Sequence, residues 1–210
     1  MSEPGKLADK IKIGVLAMQG DFDAHCKTVE DAGGYPFLVR TPQEIVSADG
    51  LILPGGESTT IGKLLVRYGL DKALKEAHSS GTPVYGTCAG MILLAKRIES
   101  GAERGGQTTL GLMDITVARN AFGRQVDSFE SDILVPEIDE KEPFRAVFIR
   151  APIITEAGPS VNILGCVQDK IVVARQGNLL VSAFHPELTN DGRMHRYFLN
   201  EIVRPSLTER

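Results

Sequence analysis

At 210 residues, 42% hydrophobic and 24% charged, the chain has ordinary globular composition and is long enough for one substantial core. A net charge of −4 gives no basic footprint for nucleic acid, and no apolar run approaches the length that crosses a bilayer, so neither kind of partner is expected. Three widely spaced cysteines, Cys26, Cys88 and Cys166, form neither a disulfide framework nor a zinc-type pair; no metal site is expected, and the cytoplasm is the expected compartment.

Residues 1–10 are polar and lack the apolar centre of a signal peptide, which reads as a frayed lead-in. An apolar β-type run follows at 11–17, then Met18-Gln19-Gly20, then a helix over 21–31 with Asp21 as N-cap. Gly33-Gly34 ends that unit. Strands are predicted at 35–40 and 49–53, helices at 61–68 and 71–80, a strand at 82–87 and a helix at 89–98. The strands are nearly continuous in apolar residues, which suits a sheet covered on both faces. Beyond residue 98 the pattern changes. A loop over 101–111 precedes strands at 112–117, 128–135 and 146–149, and then a tight-turned meander at 163–167, 171–175 and 179–182. A final amphipathic helix over 192–203 is expected to stop before Pro205. The whole reads as a single α/β domain over 1–210, a mostly parallel central sheet covered by helices on both faces, with antiparallel additions in the C-terminal half.

The chemistry centres on Gly86-Thr87-Cys88-Ala89-Gly90, the small-residue pattern of a nucleophile elbow with cysteine in place of serine. Glycines suit it because the turn is sharp and the strand and helix must meet closely. A helix N-terminus also favours thiolate over thiol. A lone cysteine is more often a small buried hydrophobe, and the elbow context tips that balance. Cys26 and Cys166 are read as structural.

A cysteine nucleophile needs a base and a group to orient it. His25 and His78 fall in predicted helices among polar neighbours, and His195 sits between arginines, where a solvated surface role is favoured. His185 differs, because it follows an apolar strand at the edge where sites of open α/β sheets gather. In an extended segment Glu187 would point the same way as His185. Alone, His185-Pro186-Glu187 could equally be a surface turn; with the elbow it completes a Cys88-His185-Glu187 triad. Pro54-Gly55-Gly56 could be only a turn, and it lacks the further residues of a phosphate loop. One of its amides, with that of Ala89, would make an oxyanion hole.

These motifs resemble the triad glutamine amidotransferases. Ala17-Met18-Gln19-Gly20-Asp21, the run from Arg119 to Glu130, Val147-Phe148-Ile149-Arg150-Ala151-Pro152 and Phe184-His185-Pro186-Glu187-Leu188-Thr189 narrow the resemblance to the glutaminase-subunit family of pyridoxal 5′-phosphate synthases. It implies hydrolysis of L-glutamine to glutamate and ammonia through a Cys88 thioester, with the oxyanion held by Gly56 and Ala89. It implies glutamine binding by Gly56, Glu57, Ser58, Arg119, Ile149 and Arg150. No metal or organic cofactor is implied, since every step is acyl transfer. The implied partner is a barrel-shaped synthase subunit, with one glutaminase per synthase in a large assembly. The alternatives are a glutaminase serving another synthase, such as that of histidine biosynthesis, and a cysteine peptidase on the same elbow.

Overall fold

The computed structural model describes residues 10–99, 107–119 and 128–208. Most of the predicted lead-in, residues 101–106 of the predicted loop and residues 120–127 of the motif that begins at Arg119 lie outside them. The first half alternates strand and helix: β1 (Lys12–Leu16), α1 (Phe22–Asp31), β2 (Tyr35–Val39), α2 (Pro42–Val46), β3 (Gly50–Leu53), α3 (Ser58–Arg67), α4 (Leu70–Ser79), β4 (Val84–Thr87) and α5 (Ala89–Leu94). Asp21 caps α1, its side chain accepting from the Ala24 amide. Helix α2, absent from the sequence expectation, begins with Pro42 and is fastened by Glu44, whose carboxylate accepts from the Thr41 amide at 2.8 Å.

The second half is strand-rich: β5 (Ala95–Ile98), β6 (Met113–Ala118), β7 (Ser128–Val135), β8 (Asp139–Ile149), β9 (Ile153–Ala157), β10 (Asn162–Val167), β11 (Lys170–Gln176) and β12 (Leu179–Ser182). A 3-10 turn (Pro186–Leu188), α6 (Arg193–Tyr197), a π-helical stretch (Phe198–Val203) and α7 (Arg204–Thr208) close the described chain. Two expectations are corrected. The helix predicted over 89–98 stops at Leu94, where Ala95 turns extended and β5 pairs in parallel with β6; strand pairing overrides the local helical pattern. The last helix does not stop before Pro205. The π stretch has already changed the hydrogen-bond pattern there, and Pro205 is accommodated as the second residue of α7.

The main sheet runs β2-β1-β3-β4-β12-β11-β9-β6-β5, with β10 alongside β11. The five strands from β2 to β12 are mutually parallel, and the antiparallel pairs begin where β11 meets β12. Strands β3, β4 and β12 are buried at every position, so both faces of the centre are covered, and the helices account for that cover. Strands β7 and β8 form a separate antiparallel ribbon whose Phe144 and Phe148 rings lie against Phe184. No described helix is long and apolar enough to cross a membrane.

Candidate active site

Strand order decides where the site lies. Because β1, β3, β4 and β12 are parallel neighbours, the residues just past their carboxyl ends share one edge of the sheet: Gln19, Gly55-Gly56, Cys88 and His185. Register then brings β4 and β12 level, with Thr87 opposite Ser182. The Cys88 amide donates to the Ser182 carbonyl at 2.8 Å, and the His185 amide donates to Val147 on β8 at 2.9 Å.

Cys88 occupies the turn between β4 and α5 at φ 48°, ψ −103°, a conformation that residues with a Cβ rarely adopt. The turn is tight because Gly86 and Gly90 let strand and helix touch: a Cβ on Gly86 would meet the Gly90 carbonyl carbon at 2.6 Å. The thiol is 7% exposed and lies 3.9 Å from the Ile149 carbonyl.

His185 Nδ1 is 2.8 Å from Glu187 Oε1, with side-chain exposures of 12% and 0%. Burial alone would lower the imidazole pKa. Hydrogen bonds and charge from Cys88 and Glu187 outweigh it, and the group is raised to about 10. The ring also rests against backbone, because a Cβ added at Gly55 would lie 3.0 Å from Nδ1 and 3.3 Å from the Cys88 Cβ.

A cleft of about 300 Å³ opens over this pair. Gly56, Glu57, Ser58, Cys88, Ala89, Arg119, Ile149, Arg150 and His185 all line it, and Glu187 stands behind His185. Every residue expected at the site is therefore brought together. Glu57 caps α3 by accepting from the Thr59 and Thr60 amides; against the opposing effect of burial, hydrogen bonds from the Thr60 side chain, these two amides and the Thr59 side chain hold its pKa down at about 2. Its carboxylate is 3.8 Å from Arg119, which also donates to Gln107 at 3.4 Å.

Three residues escaped the sequence reading. Gln19 and Ile92 line the cleft, and the Gln19 side chain accepts from the Glu57 amide at 2.9 Å. Gln19 lies three residues past Leu16, the last residue of β1, so the strand-end rule that points to His185 applies to it as well. Gln107 ties Ser58, Thr59 and Arg119 together from a loop whose composition carries no signal. One expectation is overturned: His195 is fully buried, as is His25, in contact with each other and with Glu187 through His25. The flanking arginines of α6 misled, since a five-residue helix presents neighbouring residues to different surroundings. Cys26 is half-buried and Cys166 exposed, so the latter is not a core residue.

A strained thiol, an imidazole held by a buried carboxylate and a polar cleft above them form a constellation for acyl transfer. Among the described residues no cluster of histidine, cysteine and acidic side chains is arranged to hold a metal ion.

The model of the SNO glutamine amidotransferase family matches residues 15–204. A pyridoxal 5′-phosphate synthase subunit PdxT from Carboxydothermus hydrogenoformans is 58% identical over 92% of this chain and 99% of its own. The protein of the same name from Listeria welshimeri is 49% identical over 91% and 99%. A crystal structure of a glutamine amidotransferase superposes with TM-score 0.84 at 45% identity, covering 91% of this chain and 98% of that one. The Thermotoga maritima PurLQS structure shares the fold alone, at TM-score 0.69 and 17% identity over 91% and 99%.

Proposed function

The chain belongs to the SNO glutamine amidotransferase family, and from that premise we propose that it is the glutaminase subunit of a pyridoxal 5′-phosphate synthase. Cys88 attacks the side-chain amide carbon of L-glutamine, and the resulting oxyanion is held by the amides of Gly56 and Ala89. His185, an imidazolium beside Glu187, gives its proton to the departing nitrogen, and ammonia leaves a γ-glutamyl thioester. His185 then takes a proton from water, whose oxygen cleaves the thioester to release glutamate and return the Cys88 sulfur and the imidazolium to their starting state. Arg119 and Arg150 receive the α-carboxylate, while Glu57 faces the α-ammonium. The observation that carries this reading is the His185–Glu187 pair at 2.8 Å beside the strained Cys88, at the floor of a cleft rimmed by two arginines.

Ammonia released into water would be protonated, so the proposed partner is a synthase subunit that consumes the ammonia directly; that it is barrel-shaped and bound one to one in a large assembly is the part of the proposal that rests on the family resemblance alone. The proposed compartment is the cytoplasm, in keeping with three free thiols. One fold unit carries the whole site.

The test is ammonia release from L-glutamine by the chain with its copurified partner, set against cleavage of peptides. Cys88→Ala should abolish release, and an electrophilic glutamine analogue should label Cys88 alone. The other thiols are disfavoured: burial, with Asp23 and Glu30 nearby, pushes Cys26 up to about 11, and burial with Asp169 raises Cys166. Peptide cleavage, or labelling at Cys26 or Cys166, would refute the assignment.

A further inference from the structure

His25 on α1 and His195 on α6 take no part in the reaction above, yet both are fully buried behind the triad carboxylate. Their hydrogen bonds have a direction. Nδ1 of His195 has no partner among the described residues, and a ring N–H facing nothing costs more than a bare lone pair, so the proton of His195 sits on Nε2. Nε2 donates to Nδ1 of His25 at 2.9 Å. His25 must then carry its own proton on Nε2, which makes its hydrogen bond with Thr87 Oγ1 at 3.2 Å and stands 3.2 Å from Glu187 Oε2, a buried oxygen that has no aligned hydrogen bond among the described residues and for which His25 is the neighbouring N–H. The other carboxylate oxygen, Oε1, is occupied by His185.

Both rings are neutral, as this order requires. Burial, then the nearby His195 and His185, push His25 well below the usual imidazole value; burial, then the charge of Arg196, bring His195 down to about 3. The Tyr85 ring closes the cluster from β4, its hydroxyl engaged with Ser182 at 2.9 Å.

Glu187 sits in a three-residue 3-10 turn and has a flexible side chain. A single bond to His185 would leave its carboxylate free to rotate about the last torsion. We infer that His25, oriented in turn by His195, is a positioning residue that holds the outer oxygen of Glu187 so that the inner one faces His185. The inference rests on Cys88, His185 and Glu187 being the catalytic group.

The assay measures steady-state glutamine hydrolysis by the chain with its copurified partner. His25→Leu should lower kcat by about a hundredfold and leave KM within about twofold, since substrate contacts are untouched while the base loses its orientation. His25→Gln, which keeps an N–H near the Nε2 position, should recover most of that loss. Added to Glu187→Gln, His25→Leu should cost nothing more, because the effect passes through Glu187. Wild-type kcat in His25→Leu, or a loss that multiplies fully with that of Glu187→Gln, overturns the inference. Ammonia release persisting in Cys88→Ala would instead bring down the site assignment beneath it. A readout that needs no variant is histidine nitrogen NMR of the unaltered chain. Protons on Nε2 of both His25 and His195 are expected, and an Nδ1 proton on His25 overturns the directed chain even if His25→Leu does not fold.

Discussion

Nδ1 of His185 and Oε1 of Glu187 meet at 2.8 Å across a single intervening proline. Extended backbone, which the sequence predicts here, would send both side chains the same way, but Pro186 opens a 3-10 turn instead. The contact survives because His185 itself is not helical, at φ −104° and ψ 87°, so its ring is turned back over the carboxylate that follows. Proline at the first helical position fixes the entry without needing a donor.

Glu187→Gln is therefore expected to keep the fold and to lower turnover by roughly three to four orders of magnitude, since an amide can hold the ring but cannot stabilise an imidazolium. Steady-state kinetics and a melting curve measure both halves. Turnover within a few-fold of wild type would remove Glu187 from the site.

Gly55→Ala should act on the same ring from the other side. The added methyl would fall on Cε1 of His185, and the bond from Nδ1 to Glu187 limits how far the ring can retreat. We expect kcat to drop by about a hundredfold for a displacement of about an ångström, with glutamine-analogue labelling of Cys88 slowed in parallel. Unchanged labelling would mean that the ring has another place to rest.

Arg119→Ala and Arg150→Ala should chiefly raise KM, by about tenfold or more, with kcat changed by only a few-fold, because a carboxylate held away from the reacting carbon is bound equally in ground and transition states. A collapse of kcat at saturating glutamine would assign these arginines to the chemistry or to the framework instead.

Stability should depend on pH with two limbs of opposite origin. His25 and His195 are depressed in the fold, so unfolded chain takes up protons below about pH 6.5 that folded chain refuses; stability present above that value is lost as pH falls, toward about 3 for His195. The slope is about 1.4 kcal/mol per pH unit for each ring. His185 is raised, so its contribution is complete below about pH 6.5 and disappears as pH climbs through about 10. Melting temperatures should peak between those limbs. His195→Asn should flatten the acid limb and Cys88→Ala should weaken the alkaline one. Acid and alkaline limbs indifferent to these substitutions would contradict the assignment.

Much of the site is legible in the sequence because it lies at strand ends, where punctuation is strong: Pro54-Gly55-Gly56, the glycine-flanked Cys88 and His185-Pro186-Glu187 each interrupt an apolar run. The parallel half of the sheet is readable for the same reason. Residues 95–98 are not, since Ala-Lys-Arg-Ile can continue a helix and becomes strand only by pairing with Met113 to Val117. The buried histidines are hidden for a related reason. His25 and His195 are 170 positions apart, and only the packing of α1 against α6 makes them a pair.

The pairing of β4 with β12 has a consequence for the making of the protein. Cys88, the proposed nucleophile, leaves the ribosome nearly a hundred residues before His185, its proposed base, and β12 must slot in beside β4 before the two can meet. At roughly 5–20 residues per second, the nascent chain carries Cys88 for at least several seconds as an ordinary thiol with no imidazole beside it. A polypeptide cut short anywhere before residue 185 would have the elbow but no base. On the proposed roles of Cys88 and His185, hydrolytic competence is tied to near-completion of synthesis, and fragments from aborted translation would leave the cell's glutamine alone.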